Sequence, residues 1–332
     1  MPTLYLTEPG SMLEKEAGRL IVTMRDEVLL AAPATRVDQV VIVGNAGVTT
    51  PALAYLLDHR IGLVFLTTRG AFRGRLTTDH HGNVALRRTQ YQRADDESHC
   101  LAIGRAIVEG KIRNQRALCL RLDDTNRDRE TLAAAQAMRE LIDELPQVMN
   151  RQRLMGHEGR AARYYFSVMR RSLRAPWFFS KRARRPPPDP VNALLSLLYT
   201  FLHESCFSAL QAVGLDPACG FLHRPRAGRA SLALDLMEEF RPVIADSVML
   251  TVLNRNMLAP EDFEPGPRGG IVLTRNGWRV VTAQYAVRMQ TLVRPPGVER
   301  RISYQKVLEV QARALKQAIV DPEVAYTPFR IR

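Results

Sequence analysis

Cysteine is sparse in this 332-residue chain, and what there is makes no motif. Cys100, Cys119, Cys206 and Cys219 lie far apart, with no C-x-x-C pair. That spacing excludes a zinc ribbon and a disulfide framework, and it points to a reducing compartment, the cytosol. A long unbroken apolar run is also missing. The longest, Val191 to Val213, is interrupted by Asn192, His203, Glu204 and Gln211, which suits a buried helix rather than a membrane span. The N-terminal "MPTLYLTEPGSML" lacks the apolar core of a secretory signal. Neither G-x-G-x-x-G nor G-K-[ST] occurs. "VVIVGNAGVTTPALAYLLDHRIGLVFL" has the outline of a strand–turn–helix–strand unit and keeps a nucleotide-binding enzyme as one rival reading, without a phosphate cradle. Acid is short as well: 34 Asp and Glu stand against 47 Lys and Arg, a formal net charge of +13. A folded chain this basic is drawn to polyanions, and nucleic acid is the partner expected. A non-catalytic DNA-binding scaffold needs only that charge and is the second rival.

What is present divides near residue 95. Before it, strand signals dominate. "GRLIVTMRDEVLLAA" reads as two strands around Arg25-Asp26-Glu27, and "VDQVVIVGN", "IGLVFLT" and "AFRGRLTT" as further strands. One helix intervenes, "TPALAYLLDHR", with Thr50 as N-cap and Pro51 at N1. His80-His81 reads as a turn. After "ADDES" nearly everything is helical: "CLAIGRAIVEGKIRNQRALCLRL", "ETLAAAQAMRELIDEL" and "RLMGHEGRAARYYFSVMRRSL" carry apolar positions at the helical period. A basic proline-rich loop follows, "RAPWFFSKRARRPPPDP". Asn276-Gly277 inside "IVLTRNGWRVV" signals a hairpin. The fold class expected is α+β, with a β-rich domain over 1–95 and a larger helical domain over 96–332.

Two stretches carry possible chemistry. In "GFLHRPRAGRASLALDLMEEFRP", Ser231 reads as the N-cap of a helix. At 100° per residue Leu232, Ala233, Leu236, Met237 and Phe240 form one face, while Asp235, Glu238 and Glu239 form an acidic one. His223 precedes the helix among Arg224, Arg226 and Arg229. The plain alternative is a solvated acidic face beside a loop histidine. In "GHEGRAARYY", Glu158 is flanked by Gly159, Ala161 and Ala162, small residues that let a backbone or a ligated metal come close. Tyr165 lies two turns further on nearly the same face.

These blocks carry a resemblance. "EGRAARYYF", "RRPPPDPVNALLSLLYTFL" and "GLDPACGFLHRPRAGRASLALDLMEEFRPVIAD", in this order and spacing, resemble the CRISPR-associated protein one family, the integrase of spacer acquisition. "GNAGVTTPALAYLLDHRIGLVFL" and "GKIRNQRALCLR" extend the resemblance over the whole chain.

The resemblance implies a β-rich dimerisation domain, then a helical catalytic and DNA-binding domain. It assigns the metal ligands and catalytic residues to Glu158, His223 and Glu238, with Asp235 and Tyr165 behind them. Two carboxylates and an imidazole suit Mg²⁺ or Mn²⁺. The activity implied is transesterification: the 3′-hydroxyl of a short DNA duplex, the spacer precursor, attacks a phosphodiester at the edge of a CRISPR repeat beside the leader. The partners implied are double-stranded DNA, a second copy in a homodimer, and a small ferredoxin-like adaptation protein. No membrane is implied. Candidate phosphate contacts are Arg163, Arg170 and Arg171 on the Glu158 helix, Arg182, Arg184 and Arg185 in the proline-rich loop, Arg224, Arg226 and Arg229 beside His223, and Lys111 and Arg113. Glu239, about 100° around the helix from Glu238, is expected to be dispensable.

Overall fold

The computed structural model describes residues 3–76, 84–122, 128–183, 186–266 and 269–331. His80-His81, Arg184 and Arg185 fall outside the described residues. The N-terminal part builds two small sheets. One has the order β1-β5-β7-β8, from β1 (Thr3–Leu6), β5 (Gln39–Val43), β7 (Gly62–Leu66) and β8 (Phe72–Leu76). The first three run parallel and β8 is antiparallel to β7. The other has the order β4-β3-β2-β6, from β2 (Met12–Glu16), β3 (Arg19–Met24), β4 (Glu27–Pro33) and β6 (Gly47–Val48). Arg25 and Asp26, both at positive φ, make the two-residue turn between β3 and β4.

Alternation along the strands sorts the cores. Leu4, Leu6, Val40, Ile42 and Leu63 meet Leu13, Leu20 and Val22 of the other sheet and Ala52 and Leu56 of α1 (Thr50–Asp58). Val41, Val43, Val64 and Leu66 point the other way, into the helical core. Tyr5 packs there on Phe201, with ring centroids 5.2 Å apart. Every residue of β5 is buried because both of its faces are covered. The cap of α1 is Thr49, one residue earlier than the sequence reading placed it. Its Oγ1 accepts from the Ala52 N–H at 3.4 Å, so Thr50 and Pro51 both fall inside the first turn.

The helical part comprises α2 (Val84–Asp95), α3 (Glu97–Leu122), α4 (Arg129–Glu144), α5 (Arg151–Ser172), α6 (Pro190–Ala212), α7 (Ser231–Glu238), α8 (Ser247–Asn254), α9 (Arg275–Gln290) and α10 (Tyr304–Val320). A π-helical turn, Arg241–Asp246, joins α7 to α8. Helix α2 was not anticipated: only Leu86 and Gln90 of it are buried, so its apolar stripe is faint. Helix α6 is long and apolar enough to span a bilayer, yet most of it lies in the core between α7, α8 and α10. Asp189 caps it, accepting from Asn192 N at 2.7 Å, with Pro190 in the first turn.

Two local readings need correction. The N-cap of α7 is Ala230, not Ser231. Ser231 already belongs to the helix, and its hydroxyl donates back to the Arg224 carbonyl at 3.0 Å, pinning the preceding loop. Asn276-Gly277 forms no hairpin. It lies in the first turn of α9, where Thr274 Oγ1 accepts from Gly277 N at 3.3 Å. Glycine is needed there because a Cβ would come within 2.8 Å of the Asp262 carbonyl. The strand preceding it, β10 (Ile271–Leu273), pairs backwards with β9 (Phe263–Pro265).

Candidate metal centre

Four elements bring the chemistry together: α3, α5, the loop 220–230 with α7, and the π-helical turn. Helices α3 and α5 pack closely, but α3 supplies the small residues. A Cβ on Gly104 would lie 3.1 Å from Leu154, and one on Gly110 would lie 2.6 Å from Pro328 and 3.5 Å from Glu239. Gly156 and Gly159 of α5 face open space, so the close approach expected around Glu158 is not made by its own glycines.

The loop before α7 is folded around Asp235. This fully buried carboxylate accepts from the backbone N–H of Phe221 at 2.6 Å, Leu222 at 2.9 Å and His223 at 2.9 Å. It also holds His223 Nδ1 at 2.7 Å. A carboxylate partner makes Nδ1 the donor and leaves Nε2 as the nitrogen through which the imidazole can bind a metal. Among the described residues Nε2 has no partner. The His223 side chain is 20% exposed, so the ring looks out of the protein on one side.

Glu158 and Glu238 meet at Lys111. The ammonium of Lys111 pairs with Glu158 Oε1 and lies 2.6 Å from Glu238 Oε2. Arg241, in the π-helical turn, reaches Glu238 Oε1 at 3.0 Å. Burial pushes the Glu238 carboxyl up, but Arg241, Lys111 and His223 outweigh it and hold it down at about 2. Glu238 therefore stays ionised at physiological pH. Its Oε2 is buried against the Lys111 ammonium. Lys111, read from sequence as a phosphate contact, is itself buried at 6% exposure and faces inward.

A second buried acid extends the network. Asp246 accepts from Tyr165 at 2.7 Å and from Tyr199 at 2.8 Å. Burial raises its carboxyl to about 6, against the pull of the two hydroxyls and of Arg241 and Arg182. The Arg241 guanidinium lies 4.6 Å over the Tyr199 ring. Tyr165 thus reaches the site through Asp246 and Arg241. The one-residue expansion of a π-helical turn is a recurrent feature of functional sites. The sequence reading missed Arg241 and Asp246, and also Tyr199. A lone arginine and a lone aspartate bracketing the apolar "PVIA" were the available signal.

Glu239 is not on a solvated face. It is fully buried, and its carboxylate accepts from Tyr326 OH, from Phe329 N–H and, at 3.5 Å, from Gln311. Burial pushes it up to about 8 in spite of these donors. Asn114 of α3 grips the same tail: its amide donates to the Glu239 carbonyl at 2.8 Å and the Phe329 carbonyl at 3.0 Å, and accepts from Ile331 N at 2.9 Å. Asp235, Glu238 and Glu239 are all buried, so the solvated-face alternative fails for α7.

The candidate phosphate contacts scatter. Arg163 and Arg226 are exposed. Arg224 is exposed and pairs with Glu97 at 2.7 Å, while Arg229 is turned back to Ser231 at 3.2 Å and to the Arg224 carbonyl. Arg170 donates to the Ser180 carbonyl at 2.8 Å, and Arg171 pairs with Glu130 at 2.7 Å and Asp128 at 3.1 Å. Arg113 pairs with Glu109 at 2.7 Å. Arg182 is tied to Asn192 at 2.9 Å and Ser196 at 3.1 Å on α6. His157 bonds Glu144 at 2.9 Å and His203 bonds Glu204 at 3.0 Å, both away from the site.

Whether the residues suit a divalent ion can be judged from their chemistry. Glu238 is ionised, the imidazole offers Nε2, and the buried Glu238 oxygen already faces a cation, the Lys111 ammonium. Among the described residues, however, no three His, Cys, Asp or Glu side chains close around one point. Glu158 and Glu238 share the Lys111 ammonium instead, which marks their meeting point as a place for positive charge. The donor set fits.

Comparison with known proteins agrees over the full chain. Residues 4–286 match the family model described as CRISPR associated protein Cas1. A protein of Thermus thermophilus named CRISPR-associated endonuclease Cas1 3 is 37% identical over 331 residues, covering 99% of this chain and 97% of that protein. Among solved structures, one named Cas6-RT-Cas1–Cas2 complex superposes with a TM-score of 0.81 at 28% identity; the match covers 99% of this chain and spans 36% of that one. A casposase bound to integration product shares the fold, with a TM-score of 0.85 at 22% identity, covering 98% of this chain and 93% of that one. The α+β architecture, strands first and helices after, is that of these neighbours, and the chain belongs to the CRISPR-associated Cas1 family.

Proposed function

We propose that this protein is a metal-dependent DNA strand-transfer enzyme and endonuclease that joins the 3′-hydroxyl ends of short DNA duplexes into a CRISPR array. The observation that carries the reading is the convergence of Glu158 and Glu238 on one cation, beside an imidazole that Asp235 holds with Nε2 free. Glu158, His223 and Glu238 would hold Mg²⁺ or Mn²⁺. When bound, such an ion supplies positive charge to the phosphodiester as its phosphorus gains a fifth oxygen.

The chain's own residues do the rest. Asp235 holds Nδ1 of the imidazole, so Nε2 is the nitrogen left for a ligand. Arg241 and Lys111 keep Glu238 ionised without water. The side chains of Glu158 and His223 are 21% and 20% exposed, which gives a strand access to them. Arg163, Arg224 and Arg226 are exposed and are the phosphate contacts of this reading. One phosphodiester replaces another, so the reaction needs no high-energy cofactor, and the same site cuts branched DNA in the reverse direction. The homologue's name, an endonuclease, supports the hydrolytic side of this reading.

We further assign the β-rich part to homodimerisation. Val28, Leu29 and Leu30 are 61%, 42% and 45% exposed on β4, an edge strand, where paired copies would cover them. The solved neighbour's name, a complex with Cas2, supports a small adaptation partner.

The test is an integration and cleavage assay on Glu158→Gln, His223→Ala and Glu238→Gln, with Mn²⁺ or Mg²⁺ and with EDTA. Each variant should lose both activities while keeping wild-type affinity for duplex DNA, because affinity comes from many arginines and the ion acts at one phosphate. Full activity in any of the three, or in EDTA, sinks the reading.

A further inference from the structure

A hairpin links α9 to α10, formed by β11 (Leu292–Val293) and β12 (Ile302–Ser303). Between this hairpin, the C-terminal end of α3 and the tail at Phe329 lies a cavity of about 680 Å³. Four arginines line it: Arg121, Arg288, Arg294 and Arg301. Among the described residues the lone acid on its wall is Glu299. Elsewhere the protein pairs its arginines freely, as at Arg113, Arg151, Arg160, Arg171 and Arg313. Here it does not. Among the described residues Arg288, Arg294 and Arg301 make no ion pair, and Glu299 meets Arg294 only through its backbone carbonyl, at 2.8 Å.

The cavity is also built, not merely charged. Arg288 Nε donates to the Val243 carbonyl at 2.7 Å, and its guanidinium lies 4.8 Å over the Tyr304 ring. Those contacts fix the group at the cavity wall while leaving Nη1 unbonded. Burial lowers its pKa below the ordinary arginine value and Arg121 pushes the same way, against Tyr304. Concentrated positive charge in a concave, partly desolvated wall favours an anion, and planar guanidinium forks favour phosphate oxygens.

We propose that this arginine cavity is a second DNA-binding subsite, one that holds backbone phosphates of a strand whose reacting phosphate lies at the metal centre. The proposal rests on the DNA reading of that centre and adds a place to it. Helix α3 links the two: Arg121 follows Lys111 by ten residues, about 15 Å at 1.5 Å per residue. That span is about four base steps at 3.4 Å each. Val243, whose carbonyl Arg288 grips, lies in the π-helical turn that carries Arg241, so one turn anchors a side chain of the cavity and one of the centre.

The test uses the full chain with duplex DNA at several salt concentrations. The variant Arg294→Ala/Arg301→Ala removes two exposed arginines that support no core contact. Its control, Arg313→Ala, removes one exposed arginine on α10 that pairs with Glu309 at 3.4 Å, outside the cavity. The double variant should bind long duplexes about tenfold more weakly, and its log–log salt slope should fall by roughly 0.9 per lost contact, near 1.8 in all. The control slope should not change. Duplexes too short to extend four base steps past the joined end should bind wild type and the double variant alike. If wild type binds DNA and the double variant keeps its slope, the subsite is overturned while the metal-centre reading stands. If wild type binds no DNA, that reading falls first. Two other outcomes also overturn the proposal: inorganic phosphate competing as well as DNA phosphates do, which marks a free-anion site, or loss of polyglutamate binding with DNA binding intact, which marks a site for an acidic protein segment.

Discussion

Lys111→Met is the sharpest probe of how the two carboxylates are held. Methionine keeps the length of the stem and removes only the ammonium. What is left is Glu158 and Glu238 converging with no cation between them, the second of them 4% exposed. Arg241 remains, but it reaches only Oε1 of Glu238, at 3.0 Å. Breaking a buried pair by removing one partner destabilises by about 3–5 kcal/mol, because the other charge stays buried without compensation. The Glu158 side chain is 21% exposed and can relax toward water, which favours the lower end of that range. At roughly 2–4 °C per kcal/mol the midpoint of thermal unfolding should fall by about 6–12 °C in metal-free buffer. Adding Mn²⁺ should recover more of that loss in the variant than it adds to wild type, since binding to the folded state alone stabilises it. Lys111→Met/Glu238→Gln, with the orphaned charge removed, should melt well above Lys111→Met. A single variant that melts within about 2 °C of wild type, or a double variant that is simply additive, would refute the argument.

Two further outcomes follow from the buried acids. Asp246 has its carboxyl raised to about 6 in the folded protein, above its ordinary value near 3.8, so between those values the folded state holds a proton that the unfolded state has lost. Its contribution to stability therefore falls as pH rises from about 3.8 to 6; Asp246→Asn should flatten that part of the unfolding profile, and an unchanged slope would show that Asp246 does not titrate there. Glu239→Ala, expected from the sequence to be harmless, should instead leave Tyr326, Gln311 and the Phe329 N–H without an acceptor, at about 1–3 kcal/mol per unsatisfied group; the variant should melt lower and be clipped by trypsin in the tail, and a protected tail at wild-type stability would contradict this.

The division into strands and helices was legible because period-2 and period-3.6 patterns are local. So was the pairing of β3 with β4, since Arg25-Asp26 is a turn written in adjacent residues. The acids of α7 were not legible in the same way. Wheel geometry places Asp235, Glu238 and Glu239 on one side of the helix and says nothing about what covers that side. The covers come from far off: Lys111 and Asn114 on α3, Arg241 one turn on, and a tail some 90 residues later. Lys111 misled for a related reason. On a helix as mixed as "GKIRNQR", a lysine reads as surface charge until the partner acids are placed. Asn276-Gly277 shows the opposite failure, a strong local signal overruled because Thr274 caps a helix across it.

The anchoring of Phe329 and Tyr326 on Glu239 has a consequence for the order in which the protein is made. Ribosomes release a chain from its N-terminus at about 5–20 residues per second, so the segment that satisfies Glu239 follows it by roughly 5–18 seconds. During that interval α7 carries a carboxyl whose buried partners do not yet exist, next to Glu238 of the candidate site. The β-rich part, whose own core needs only residues between Leu4 and Leu63, can fold in the meantime. The candidate site, which shares α7 with Glu239, is then completed only after the β-rich part has had time to fold.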